Sequence, residues 1–185
     1  MDTTARIYED LDRILVTKEE IAQAVKKLGR QITEDYQGKD LTAVCILKGA
    51  CVFFTDLVRE VDLPLSMGFM AVYSYGSGTS STGVVRIIKD LDQNIEGKDV
   101  LIVEDIVDSG KTLYFLLQVL AQRHPASLSI AALLDKPSRR VVDLKTRYSC
   151  FDIPDAFVVG YGLDYNEQYR NLPDIGVLKP SIYQG

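Results

Sequence analysis

Histidine occurs once in this chain of 185 residues, at position 124, and that scarcity removes most histidine chemistry at the outset. Internal His-His metal sites are excluded. A Ser/His/Asp triad would have to rely on His124, which follows an apolar run and precedes Pro125, where a helix is expected to end. A histidine in that place reads as a group interacting with the helix dipole. Cysteine is scarce too. Cys45, Cys51 and Cys150 are odd in number, show no CxxC spacing and lie in or beside apolar segments, the pattern of reduced, buried thiols, so neither a disulfide framework nor a zinc knuckle fits. No apolar run, Ile130 to Leu134 being representative, approaches the roughly 20 residues needed to cross a bilayer. Met1-Asp2-Thr3-Thr4 lacks the basic and apolar regions of a signal peptide. A cytoplasmic protein with no membrane partner is expected. Positive charge is not in excess either: 21 Lys+Arg against 26 Asp+Glu gives a net charge of −5. That balance argues against a protein that coats nucleic acid, and an anionic ligand would need dedicated receptors.

What is present, 46% hydrophobic and 25% charged residues, fits one compact domain with a real core, without internal repeat or interdomain linker. Thr17-Lys18-Glu19-Glu20 has the capping-box form and opens a periodic run through Ile21, Ala24, Val25 and Leu28, which predicts a helix. Leu41 to Leu47 is continuously apolar, as suits a strand buried on both faces; Lys48-Gly49 then turns the chain into a helical run, Cys51 to Val61. Met67 to Tyr75 reads as a strand, Gly76 to Gly83 as a mobile loop with little to bury, and Val84 to Ile88 as a returning strand. A strand over Asp99 to Val103, a helix over Leu113 to Arg123, and strands over Ser127 to Leu134 and Ala156 to Val159 follow. The alternation predicts an α/β fold, a mostly parallel twisted sheet with helices on both faces. Ligands in such sheets bind at the carboxyl ends of the strands, so residues just after Leu47, Val103, Leu134 and Val159 should line one site.

After Val103 come two adjacent carboxylates, Glu104 and Asp105, then Asp108-Ser109-Gly110-Lys111-Thr112 at the start of a predicted helix. Consecutive backbone amides, the positive end of the helix dipole and the Ser109 and Thr112 hydroxyls favour a phosphate there, and Gly110 permits close approach. Carboxylates accept hydrogen bonds and repel phosphate, so the acidic pair suits a ribose diol, with or without a hydrated divalent cation. Gly110-Lys111-Thr112 resembles the end of a nucleoside-triphosphate loop, but the register fails: the position five residues before Gly110 holds Asp105 rather than glycine. Gly76-Ser77-Gly78 likewise lacks the third glycine of a dinucleotide fingerprint, since position 81 is serine.

The run Val103 to Thr112 resembles the phosphoribosyl pyrophosphate motif of the type I phosphoribosyltransferases. Leu47-Lys48-Gly49-Ala50, the Ser74-Tyr75 pair opening the loop, Lys136-Pro137, and Phe157 to Glu167 with Arg170 are similar in order and spacing to the hypoxanthine-guanine branch of that family, over roughly Ile14 to Arg170. The resemblance implies a single domain over 1–185, with a five-stranded core at roughly 35–150 and a small hood from roughly 1–20 and 151–185. It implies transfer of the 5-phosphoribosyl group from phosphoribosyl pyrophosphate to N9 of hypoxanthine or guanine, with Mg2+, in a homodimer or homotetramer. By that similarity Glu104 and Asp105 hold the ribose hydroxyls, and Asp108 to Thr112, including Ser109, Gly110 and Lys111, hold the 5′-phosphate. Asp108 exchanges a proton with purine N7; Lys48, Gly49 and Arg170 bind pyrophosphate. Lys136 reads the purine O6, Phe157 stacks on the ring, and Val158 and Asp164 complete the base pocket. Glu104, Asp105 and Asp164 hold the metal, and Ser74 and Tyr75 begin a lid. In that family the Lys48-Gly49 turn carries a strained non-proline bond, with its cis form left open by sequence. Two alternatives stay open: a regulator of the same fold that senses the ribose donor and binds nucleic acid, and an enzyme preferring xanthine.

Overall fold

A computed structural model describes residues 7–74 and 85–184. The chain runs β1 (Leu11–Val16), α1 (Lys18–Asp35), β2 (Leu41–Leu47), α2 (Cys51–Arg59), β3 (Leu65–Ser74), β4 (Val85–Lys89), β5 (Asp99–Val107) and α3 (Lys111–Ala121). It continues through β6 (Ser127–Asp135), a 3-10 turn at Pro137–Arg139, β7 (Tyr148–Asp152), β8 (Val158–Val159), β9 (Ile175–Leu178) and α4 (Pro180–Tyr183). The predicted loop over Gly76 to Gly83, and Tyr75 before it, lie outside the described residues.

α1 begins where the capping box predicts. Glu20 N donates to Thr17 Oγ1 at 3.3 Å and Thr17 N to Glu20 Oε2 at 2.8 Å, satisfying two helix-end donors reciprocally. Ile21, Val25, Leu28 and Ile32 form its buried stripe. Thr17→Ala removes the cap while leaving the stripe intact. The variant is expected to lose about 1 kcal/mol of stability, which lowers the melting temperature by about 2–4 °C in a chain of this size, read by thermal unfolding.

β2 shows why a continuous apolar run marks a central strand. Ala43 and Cys45 enter one core with α1 and α2, whereas Val44 and Ile46 enter another with Leu113, Leu116 and Leu120 of α3. Helices therefore cover both faces, because every β2 side chain must be buried. The large sheet has six strands in the order β4-β3-β2-β5-β6-β7. Five are parallel, and β4 runs antiparallel to β3 at the edge. Its order reverses between β2 and β5, the kind of switch point at which crossover connections diverge and leave a crevice.

β5 differs from the sequence pattern in a way that matters for chemistry. The apolar run ends at Val103, yet the strand continues to Val107, because Glu104, Ile106 and Val107 pair with Ala132, Leu134 and Asp135 of β6. Pairing with β2 stops at Cys45 and Val103. Beyond that point β5 has a partner on one side only, and Glu104 and Asp105 project from a strand rather than a turn. α2 and α3 are also displaced, ending at Arg59 and starting at Lys111.

A separate three-stranded sheet, β1-β9-β8, joins the two ends of the chain. β1 has no clean period of two because its pairing with β9 shifts register between Leu11 and Arg13 and again between Ile14 and Val16. His124 lies past α3 at φ +54, where its carbonyl accepts from Gly97 N. Cys45 is buried, Cys51 and Cys150 are half-buried, and all three are free thiols. Burial pushes the Cys45 and Cys150 thiols up to about 12, so they stay protonated. Among the described residues no helix is long and apolar enough to cross a membrane.

Candidate active site

A cavity of about 420 Å³ opens at the switch point, bounded by the ends of β2 and β5, the start of α3 and the segment after β8. Glu104, Asp105, Asp108, Ser109, Gly110 and Thr112 line it from one side. Gly49, Asp164 and Arg170 line it from the other. Three groups of residues distant in sequence thus face one space.

The turn into α3 is built around Gly110, whose φ of +81 suits a residue without Cβ, and a Cβ there would also press to 3.0 Å from Arg140 and Val142. Glycine at the cap position leaves α3 without a side-chain cap, so amides of its first turn remain available to an anion. Ser109 Oγ accepts only a long contact from Lys111 N, 3.5 Å. Arg140 braces the turn from beneath. Its Nη1 donates to Asp108 O at 3.3 Å, and its Nη2 is ion-paired with the buried Asp135.

Glu104 and Asp105 border the cavity but sit within protein mass. Desolvation, reinforced by the Asp105 charge, raises the Glu104 carboxyl well above the usual carboxylate range. Desolvation also raises Asp105, opposed by hydrogen bonds from Glu104 and Ile106 N and by the Arg170 charge. The pair therefore holds a proton more tightly than ordinary carboxylates, and a bound cation would reverse that preference. Asp105 Oδ1 accepts from Ile106 N at 2.8 Å. Its Oδ2 occupies the space over Gly49, where a Cβ would stand 1.7 Å away.

Across the cavity Arg170 Nη2 pairs with Asp164 Oδ1 at 2.9 Å, and Nη1 donates to Gly162 O at 2.7 Å. Arg170 Nε is buried without a partner. The other Asp164 oxygen accepts from Glu167 N at 2.8 Å. The Leu47–Lys48 peptide bond is cis. Gly49 faces the cavity, whereas the Lys48 ammonium points to the exposed Glu167, 3.0 Å from Oε2. The Lys48 hydrogen bond lowers the Glu167 carboxyl.

Of the residues expected at the base, Asp108 and Asp164 line the cavity, and a run of ion pairs leads from Asp108 to Lys136. Asp108 Oδ1 accepts from Arg139 Nε at 3.1 Å, and Arg139 Nη1 reaches Asp155 Oδ2 at 3.4 Å. Asp155 Oδ1 lies 3.5 Å from Lys136 Nζ. Lys136 is 6% exposed rather than in the solvated turn an isolated lysine beside proline favours, and its ammonium donates to Ala156 O at 2.8 Å. Phe157, 39% exposed, stacks on Tyr183 at 4.8 Å and meets Tyr165 edge-on at 5.7 Å. Val158 is buried in β8 opposite Val177. Ser74 ends β3, paired with Val85. Sequence reasoning missed Arg139, Arg140 and Asp155; the only local signal was two arginines directly after Lys136-Pro137-Ser138.

Comparisons with known proteins find relatives over nearly the whole chain. The phosphoribosyl transferase domain family matches residues 13–166. A hypoxanthine-guanine phosphoribosyltransferase of Streptococcus thermophilus is 50% identical over 177 residues, 96% of this chain and 98% of that protein. One from Bacillus subtilis is 52% identical over 175 residues, 95% of this chain and 97% of that protein. A crystal structure of a hypoxanthine phosphoribosyltransferase from Staphylococcus aureus is similar with a TM-score of 0.95 and 52% identity, covering 100% of both chains.

Proposed function

The chain belongs to the phosphoribosyltransferase family, and from that membership we infer that it salvages purines, transferring the 5-phosphoribosyl group of phosphoribosyl pyrophosphate to hypoxanthine or guanine. The products are IMP or GMP and pyrophosphate. The observation that carries this reading is the meeting of an uncapped helix start, an acidic pair and the Asp164–Arg170 pair around one cavity.

Each part answers one demand of the reaction. The 5′-phosphate binds the amides of Asp108 to Thr112 and the Ser109 and Thr112 hydroxyls, as an uncapped helix start favours. Glu104 and Asp105 accept the ribose hydroxyls. As pyrophosphate leaves, C1 of the ribose gains positive charge, and nearby carboxylates stabilise it. Gly49 and Arg170 take the pyrophosphate; Arg170 offers its guanidinium donors in a fixed fork. Lys48 stands at the rim and can exchange Glu167 for the donor's phosphates, since an exposed ion pair has little hold.

Adjacent carboxylates suit a small divalent cation that fills its other positions with substrate oxygens and water, the habit of Mg2+. Among the described residues no three or more His, Cys, Asp or Glu side chains stand together as a ready-made metal site. Glu104, Asp105 and Asp164 would hold it, and when bound it neutralises charge on the departing pyrophosphate.

At the base, Asp108 exchanges a proton with N7 while N9 attacks. Lys136 has only donors to offer and so selects a 6-oxo over a 6-amino purine. Phe157 stacks on the ring and the Val158 backbone reads its edge. The small sheet serves as the hood. Exposed Met67 and Ile88 on β3 and β4 supply apolar surface for a homodimer or homotetramer, in the cytoplasm.

A spectrophotometric assay with the ribose donor, Mg2+ and each of hypoxanthine, guanine, xanthine and adenine tests the reading. Turnover is expected with the 6-oxopurines and is expected to stop when EDTA removes the cation. Turnover with adenine alone would overturn the role of Lys136. Absence of turnover with every base would favour a donor-sensing regulator instead.

A further inference from the structure

Tyr161 stands behind the cavity, between two glycines, in a conformation non-glycine residues seldom adopt. Its φ is +48, flanked by +102 at Gly160 and +101 at Gly162. The ring is 8% exposed, and the hydroxyl donates to Asp56 Oδ2 of α2 at 2.6 Å. Burial and the Asp56 hydrogen bond raise the phenol, which keeps it a donor. α2 begins directly after the Lys48-Gly49 turn, Cys51 N donating to Lys48 O at 3.2 Å. Gly162 lies against that turn so closely that a Cβ on it would stand 2.1 Å from Gly49 O.

Among the described residues the two segments also meet through apolar packing, Tyr161 and Leu163 sharing one core with Phe53, Phe54 and Leu57 of α2, but such packing sets no direction. The Gly162 amide donates to Arg170 O and its carbonyl accepts from Arg170 Nη1, so both serve their own segment. The Gly49–Gly162 approach is a contact without directional bonds. Lys48–Glu167 crosses between the segments but is exposed at both ends, where ion pairs contribute little. Arg170 itself separates the main cavity from a second one of about 370 Å³, whose wall includes Val52, Asp56 and Tyr161. Among the described residues, the buried, directional link between the segments is the Tyr161–Asp56 hydrogen bond.

We propose that Tyr161 and Asp56 are a positioning pair, whose hydrogen bond holds the Gly160–Arg170 segment against α2 and so fixes the spacing between Arg170 and Gly49 across which the donor's pyrophosphate binds. The inference rests on the assignment of pyrophosphate to Gly49 and Arg170. Neither Tyr161 nor Asp56 is placed against substrate; both act through Arg170.

The test is steady-state kinetics with separate titration of the donor and of hypoxanthine. Tyr161→Phe and Asp56→Ala are each expected to raise KM for phosphoribosyl pyrophosphate roughly five- to tenfold, with KM for hypoxanthine within about twofold of the wild type. The double variant is expected to match the worse single one, since both remove the same bond. Asp56→Asn retains an acceptor oxygen and is expected to restore KM for the donor to within about twofold. Asp56 is half-buried on a helix and alanine is a good helix former, so Asp56→Ala decides the matter even if Tyr161→Phe folds poorly. Thermal unfolding measured alongside separates a structural role: a lower melting temperature with unchanged KM for the donor would overturn the proposal, as would an equal rise in both KM values. Arg170→Gln, assayed in parallel, tests the underlying assignment. If it leaves KM for the donor unchanged, the pyrophosphate assignment fails; if it raises that KM and the pair variants do not, only the positioning role fails.

Discussion

Asp108→Asn is expected to lower kcat by about 10²–10⁴, the usual worth of a positioned acid or base, while KM for phosphoribosyl pyrophosphate changes by less than about threefold. The asymmetry follows from where Asp108 sits. Its backbone belongs to the phosphate turn, and its carbonyl accepts from Arg140 Nη1, neither of which the substitution alters. Its side chain serves the other direction, with Oδ1 accepting from Arg139 Nε at 3.1 Å. An asparagine of the same size keeps that acceptor and therefore the orientation. What it cannot do is exchange a proton with N7 as N9 becomes the nucleophile. The loss should thus fall on turnover rather than on capture of the donor. Kinetics with hypoxanthine at saturating donor checks this, and undiminished kcat in the variant would remove Asp108 from the acid/base role.

Much of this arrangement is readable from local pattern, and the rest is hidden for identifiable physical reasons. The capping box at Thr17 and the two-faced burial of Leu41 to Leu47 are statements about neighbours in sequence, and both hold in the structure. Gly110-Lys111-Thr112 marks a helix start with available amides because a glycine at the cap has no side chain to offer. The extension of β5 through Glu104 and Asp105 escapes the apolar pattern, since the pairing of Glu104, Ile106 and Val107 with β6 carries the strand on past its apolar run. β1 escapes because two register shifts scramble its alternation, and β9 because four residues are too few for any period to show. The chain Asp108–Arg139–Asp155–Lys136 links residues up to 47 positions apart in sequence (155 − 108), and no local pattern encodes such partners. Lys136 shows the consequence. Judged beside Pro137 it belongs in solvent, yet Ala156 O and Asp155 make its burial tolerable.

A methyl group on residue 49 should be the more damaging of two additions that look trivial. Gly49→Ala would set its Cβ 1.7 Å from Asp105 Oδ2, 2.7 Å from the carboxyl carbon and 3.5 Å from Arg170 Nη1. Asp105 is short and already anchored, its Oδ1 accepting from Ile106 N, so it cannot rotate aside without giving up that bond. If Asp105 moves, the ribose loses an acceptor; if the turn moves, pyrophosphate loses the Gly49 amide. Either shift damages the donor site, so kcat/KM for the donor is expected to fall by about 10²-fold or more, some 2.7 kcal/mol of transition-state stabilisation. Stability should suffer less, by about 1–3 kcal/mol for a crowded contact at a cavity wall. Gly162→Ala provides the contrast. Its Cβ would meet the Gly49 backbone carbonyl at 2.1 Å from a φ of +101, so the clash is with main chain and the residue is strained regardless of space. That variant is expected to show the larger fall in melting temperature. The two glycines face each other across one contact, yet one guards a carboxylate and the other guards the fold. A Gly49→Ala protein as unstable as Gly162→Ala, with kcat/KM per folded molecule near the wild-type value, would show that Asp105 has room to yield and that the crowding over Gly49 does not serve the reaction.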